Sequence, residues 1–342
     1  MGQVQCNYDE WLTIDLITKS GLRYWQKGEK EHIMSVKHPI IAVTGASGAG
    51  TTVVQQAFKE IFHRQGINAG FVQGDGFLRY NDKDAEKRIS QSLADGCYVS
   101  CYGPELNDFS RLETCFRGYA DKGHESLRCK VSEENRHLYD QPVGEFTEWH
   151  PIEDNTDCLF YEGMHGGVVA QTWTRRKEVE TACVENDRRA DRDKGVNVAQ
   201  YVDLLIGVVP AINLEWIQRI HHDQHAKKQQ PEQITTNILE QLQDYIHFIV
   251  PQFSVSDINF QRMPIIDTSN PFDASMVPAE HESIVIVSFK EPAKHDLVNY
   301  VNRIEGAVLS RRSSLTIPGG QMQHALDVIC APLIEALIQR KA

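Results

Sequence analysis

An α/β domain, its mostly parallel (mixed) sheet covered by helices on both faces, is the architecture that the chain's patterning implies. Three observations carry it. From Pro39 onward, short β-rich apolar runs alternate with amphipathic segments of helical period. The first of these runs leads directly into a glycine-rich loop and then into a helical segment. With 342 residues, the chain is also long enough to bury such a core without disulfide staples.

In chain order, the apolar runs place strands at 40–44 (IIAVT), 69–74, 158–162 (CLFYE), 203–209 (DLLIGVV), 263–268 (MPIIDT) and 284–289 (IVIVSF). The intervening helical periods place helices at 51–65, 83–95, 108–121, 213–228, 232–249, 295–309 and 321–340. The last of these carries Leu326, Ile329, Leu333 and Leu337 as a core-facing stripe. Residues 1–33 close on the polar stretch KGEKEHI just before Met34, so they read as an extension, poorly ordered or not native, ahead of one domain at 34–342. Trp11 and Trp25 are the features that would let this extension pack. Residues 174–195 hold seven basic and six acidic side chains and almost nothing to bury, the composition of a solvated insertion.

Lysine and arginine number 35 against 47 aspartates and glutamates, a formal charge of −12. That balance excludes a nucleic-acid protein relying on a broadly basic surface. No apolar run approaches the roughly 20 residues that span a bilayer, and the N-terminus lacks the order of a secretory signal. The eight cysteines are scattered, without zinc-ligand spacing, and read as the free thiols of a cytoplasmic protein.

The chemistry concentrates in four places. Gly45-Ala46-Ser47-Gly48-Ala49-Gly50-Thr51-Thr52 follows the first strand and, with Val53, opens the first helix. Glycines there let backbone N–H groups turn around phosphate oxygens, the helix N-terminus adds its positive end, and Thr52 can reach Mg²⁺. The spacing is that of a P-loop except that Thr51 replaces the usual lysine, so another cation must act near the terminal phosphates. Asp75, at the end of the second strand, stands where an open sheet binds its ligand. It reads either as the base that takes a substrate hydroxyl's proton or as a turn-capping aspartate. Glu162 ends an apolar strand before Gly163-Met164-His165-Gly166-Gly167 and suits a metal that keeps most of its waters. His165 faces a substrate phosphate or caps the turn. On helix 213–228, Arg219 and Asp223 share a face, with His222 beside them and Lys227 one turn onward. That helix either closes over the nucleotide, Arg219 supplying the charge missing at Thr51, or lies exposed with one ion pair.

From Met34 onward, GASGAGTT, QGDGF, YGPELNDF, FYEGMHGG, IGVVPAINLEWIQRIHHD, DTSNPF and SLTIPGGQM together resemble the proteobacterial phosphoribulokinases of the phosphoribulokinase/uridine kinase family of P-loop kinases. The resemblance covers nearly all of 34–342, apart from the insertion. It implies ATP and Mg²⁺ as cofactors, transfer of the γ-phosphate to ribulose 5-phosphate, and assembly into a homo-oligomer. It also implies Asp75 as base, Glu162 as metal acid, Arg219 as counterpart of a lid lysine and Asp223 as lid carboxylate. GAGTT is the loop such enzymes carry, which accounts for Thr51. The family commonly has histidine where Leu78 stands, arginine where Asp82 stands, arginine where His222 stands and histidine where Cys101 stands, all at sugar-phosphate positions. An arginine tied to allosteric activation is replaced at or near Glu240 and Gln241. Arg79, Lys83, Lys87 and Lys227 lie close enough in sequence to substitute, with Arg79, Lys83, His165, His222 and Lys227 forming the candidate acceptor set. A kinase for another sugar phosphate or a nucleoside, and a nucleotide-binding regulatory protein without turnover, are the alternatives; no nucleic-acid or membrane partner is expected.

Overall fold

The computed structural model describes residues 37–45, 51–94, 99–168, 195–226, 228–273 and 275–341. A division of the chain falls between His32 and Ile33, and every described residue belongs to the second unit. Residues 1–36, most of the 174–195 insertion, the loop 46–50 and Lys227 lie outside the described residues.

The strands are β1 (Ile40–Gly45), β2 (Ala69–Gln73), β3 (Ser126–Leu127), β4 (His150–Pro151), β5 (Cys158–Gly163), β6 (Leu204–Pro210), β7 (Ile258–Pro264), β8 (Ser283–Phe289), β9 (Val308–Arg311) and β10 (Ser314–Pro318). Eight of them form one sheet in the order β2-β5-β1-β6-β7-β8-β10-β9, while β3 and β4 pair separately. The first five strands of that sheet run parallel, with Ile40 opposite Leu159 and Ile41 opposite Leu204. From β7 outward the pairings are antiparallel.

The helices are α1 (Thr51–Gln65), α2 (Asp82–Ala94), α3 (Phe109–Lys122), α4 (Ile212–Ala226), α5 (Pro231–Asp244), α6 (Val250–Val255), α7 (Leu297–Arg303) and α8 (Met322–Lys341). Strand alternation splits the core between them. Ile41, Val43 and Phe160 pack with Val54, Phe58 and Ile61 of α1 and Leu326 and Ile329 of α8. Ile40, Ala42, Leu159 and Tyr161 point the other way, onto Leu112, Phe116 and Tyr119 of α3. Helices therefore cover both faces. A separate cluster of Ile217, Ile220, Ile234 and Ile238 joins α4 to α5.

Three expectations need correction. A strand at 263–268 is replaced by β7 at Ile258–Pro264, because Ile258 and Phe260 are the fully buried residues while Ile265 and Ile266 are exposed. The helix expected over 295–309 stops at Arg303; Gly306, at φ +74°, turns the chain into the hairpin β9–β10, which the helical reading hid. The helix expected over 232–249 ends at Asp244 and continues as a π turn over Tyr245–Ile249 before α6.

Among the described residues no helix is long and apolar enough to cross a membrane. Cys115, Cys129 and Cys330 among the described residues are free thiols.

Candidate active site

The carboxyl ends of β1, β2 and β5 meet at one edge of the sheet. β1 ends at Gly45, so the phosphate loop starts in the middle of the parallel strands and α1 leaves from its far side. Thr51 and Thr52 open α1, with Val53 next to them.

Asp75 lies in a tight turn, Gly74–Phe77, directly after β2. Arg128 fastens that turn: its Nε donates to the Gly76 carbonyl at 2.8 Å and its Nη2 to the Leu78 carbonyl at 2.6 Å. The guanidinium is itself held over the rings of Phe146, at 3.8 Å, and Trp149, at 4.9 Å. On the other side, Asp108 N–H donates to the Phe77 carbonyl and Arg79 N–H to the Leu106 carbonyl, each at 2.8 Å. Gly76 has no room for a side chain, since a Cβ would stand 2.2 Å from the Arg128 carbonyl oxygen. Asp75 is solvent-exposed yet surrounded by protein, the situation of a group in an open cleft. The surround raises its carboxyl above the ordinary range; Lys130 opposes the shift and Asp82 adds to it.

Glu162 stands on the neighbouring strand end. Burial pushes its carboxyl up to about 7, against the pull of Lys59 and with help from the negative charge of Asp75. What lets β2 and β5 converge is a pair of glycines: a Cβ on Gly163 would lie 2.8 Å from the Gly74 Cα and 2.6 Å from the Tyr161 hydroxyl. Two carboxylates thus share one corner near the end of β1, each pushed toward the neutral form.

Behind that corner lies a residue that the sequence reading passed over. The fully buried Gln252 donates from Nε2 to the Met164 carbonyl at 2.9 Å and the Phe248 carbonyl at 2.7 Å. Its Oε1 accepts from the Thr44 hydroxyl at 2.7 Å and from Gly167 N–H at 2.8 Å. Thr44 precedes Gly45 and Met164 follows Glu162 by two, so one amide ties the end of β1 to the turn after Glu162. Gln252→Leu is expected to lower stability by about 3 kcal/mol or more, since it strands several buried polar groups worth ~1–3 kcal/mol each. Urea unfolding measures this; a loss below ~1 kcal/mol would show that the turn holds without the amide.

The other candidates are placed as follows. Arg219 on α4 donates to the Tyr102 hydroxyl at 3.1 Å and to Gln241 Oε1 at 2.7 Å, with its Nε 4.0 Å from Asp223. Asp223 is buried and bonded to His222 Nδ1 at 3.0 Å, while the His222 side chain stays 67% exposed. Arg79 donates to the Pro104 carbonyl at 2.7 Å and pairs with Asp108 at 3.3 Å, buried in the frame of the turn. Lys83 is exposed at the start of α2. His165 is enclosed, edge-on to Phe109 at 4.7 Å, with neither ring nitrogen hydrogen-bonded; burial drives its pKa down to about 3, so the ring is neutral. Arg128, Lys130 and Gln252 were missed because they sit in irregular chain or beyond a proline, without periodic signal.

Comparison with known proteins agrees with this fold. The family model described as "Phosphoribulokinase / Uridine kinase family" matches residues 40–269. The chain is 42% identical over 307 residues to a phosphoribulokinase of Nitrobacter vulgaris, covering 89% of this chain and 98% of that protein. It is 39% identical over 310 residues to the chromosomal phosphoribulokinase of Cupriavidus necator, covering 90% and 98%. The solved phosphoribulokinase from Rhodobacter spheroides superposes with a TM-score of 0.75 at 36% identity, covering 90% of this chain and 99% of that one.

Proposed function

Since the chain belongs to the phosphoribulokinase/uridine kinase family, we propose that it moves the γ-phosphoryl group of ATP onto the 1-hydroxyl of D-ribulose 5-phosphate, giving ADP and D-ribulose 1,5-bisphosphate. The observation that carries this reading is the corner formed by Asp75 and Glu162 next to Gly45. Phosphoryl transfer needs a base for the acceptor hydroxyl and an acid near the metal, both at the mouth of a phosphate loop. A module that only binds nucleotide needs neither.

Asp75 accepts the hydroxyl proton as the oxygen closes on the γ-phosphorus; the bond to the β,γ-bridging oxygen breaks and ADP departs. The loop 45–53 cradles the phosphates. The donor set also fits Mg²⁺, because the crowded carboxylates call for a cation and Mg²⁺ takes few protein ligands while keeping waters and phosphate oxygens. Glu162 and the hydroxyl of Thr52 would hold it, and when bound it neutralises charge on the phosphates. Arg219, whose helix packs on α5 near Tyr102, is assigned to the transferring phosphoryl group, replacing the cation absent at Thr51; Asp223 orients it. Lys83, His222 and Lys227 are assigned to the acceptor phosphate, whereas Arg79 and His165 serve the frame. The charge of −12 argues against a nucleic-acid substrate. Homo-oligomer formation is supported by the edge strand β9, where Val308 and Leu309 are exposed.

ADP release measured with a panel of pentose phosphates and nucleosides tests the reading. Ribulose 5-phosphate should give the highest kcat/KM. Preference for another acceptor would reassign the substrate, and no turnover with any would favour the regulatory alternative.

A further inference from the structure

The extended segment after β3 turns alternate residues to opposite sides. Leu127 and Val131 are buried, while Arg128 and Lys130 face the other way, toward the Asp75 turn and the start of α2. Arg128 is consumed in holding that turn, as described above. Lys130, two residues on, reaches Asp82 at the first turn of α2 with its Nζ 2.5 Å from Oδ1. Both partners are built in place. Lys130 bridges Phe146 across a short antiparallel contact, and its neighbour Val131 exchanges backbone hydrogen bonds with Glu145 and Gly144 at 2.9 and 2.8 Å. Asp82 N–H donates to the Gly144 carbonyl at 3.2 Å. Gly144, at φ +90°, lies so close to Asp82 that a Cβ would stand 2.7 Å from its Oδ2.

A hydrogen-bonded pair fixed from both sides differs from an ordinary surface ion pair, which is worth ~0–1 kcal/mol. Lys130 is also only 20% exposed, and its charge is felt at Asp75, so it borders the place where the acceptor hydroxyl must sit. A phosphorylated acceptor brings a dianion into that space. Asp82 opposes it, and Lys130 is the cation within reach.

We infer that Lys130 is an acceptor-binding residue that takes the phosphate of a sugar phosphate seated on Asp75, and that Asp82 is the internal anion it releases on binding. The inference rests on the proposed acceptor chemistry, and it assigns a cation to the position on which Asp82 alone would repel the substrate. It gives Asp82 a definite cost, because the carboxylate competes with substrate for Lys130.

Steady-state kinetics on the full chain tests it. Lys130→Met, which keeps the aliphatic stem, should raise the acceptor KM about 10- to 100-fold, the loss of one charge-assisted hydrogen bond, and leave the ATP KM unchanged. Lys130→Arg should retain most of the affinity. Asp82→Asn should lower the acceptor KM in the wild-type background and leave it unmoved in Lys130→Met, a coupling that a merely structural pair would not produce. Calorimetric titration of ribulose 5-phosphate onto wild type and Lys130→Met asks the same question without turnover. Weaker binding by the variant in the absence of any turnover would sink the catalytic reading and keep the inference. Equal affinities, no binding by wild type, or an Asp82→Asn shift of the same size in both backgrounds would overturn it.

Discussion

Asp75→Asn is expected to lower kcat by about 10²–10⁴-fold, the usual contribution of a positioned general base, while leaving ATP affinity nearly intact. The amide keeps the shape and removes the proton acceptor. The turn that carries it depends on Arg128, Asp108 and the backbone of Gly76, none of which bonds the carboxylate, so the fold should survive. The pH profile gives a second reading. Desolvation by the surrounding protein raises the Asp75 carboxyl, and the base is competent only when ionised, so wild-type kcat/KM should fall as pH drops through that raised value. In Asp75→Asn the part of this limb set by Asp75 should disappear, leaving the part set by Glu162, whose carboxyl is raised to about 7. A variant keeping more than about a tenth of wild-type turnover would return Asp75 to the role of a turn cap.

The parts of the molecule that could be read from sequence are those whose signal is local. Ile40–Val43 is an unbroken apolar run because both faces of β1 are covered, and the loop behind it has fixed spacing, so strand, loop and α1 follow from one another. Asp75 and Glu162 could be read for the same reason, each being a carboxylate at the end of an apolar run. β7 shows the opposite case. Its buried residues, Ile258 and Phe260, alternate with Asn259 and Gln261, whereas the continuous run MPII attracts a strand to residues that the structure exposes. Edge strand β9 carries no burial signal, and only the break at Gly306 separates it from the preceding helix.

Within the site, the residues that hold the chemistry in place escaped the sequence because their partners are distant. Arg128 acts through the carbonyls of Gly76 and Leu78, some fifty positions away. Gln252 acts through Thr44 and Gly167. Neither belongs to a periodic pattern, and Gln252 lies past the expected helix 232–249, just after Pro251. Arg219 could be nominated by its helix face, but its hydrogen bonds to Tyr102 and Gln241 come from two other segments, so its environment exists only in three dimensions.

The glycine contact between β2 and β5 yields the second large effect. Gly163→Ala is expected to cut kcat by about 100-fold, because a misplacement of ~1 Å in a reacting constellation costs that much. The added methyl would meet the Gly74 Cα at 2.8 Å and the Tyr161 hydroxyl at 2.6 Å. The first is backbone and the second belongs to a fully buried ring, so neither can give way without parting the strand ends. Parting them moves Asp75 away from Glu162 and breaks the corner on which the proposed base and the proposed metal ligand converge. Gly74→Ala meets the Gly163 Cα at 2.9 Å and the Tyr161 hydroxyl at 2.7 Å, and should fail in the same way. Gly320→Ala, with nothing within 4 Å of the new methyl, is the silent control. The readouts are kcat, ATP affinity and the thermal transition. Because the defect lies in alignment, kcat should fall far more than ATP affinity in a variant that still unfolds cooperatively. If Gly163→Ala turns over within about threefold of wild type, then the two carboxylates do not need this spacing, and the base and the metal acid would have to be sought elsewhere along the sheet edge.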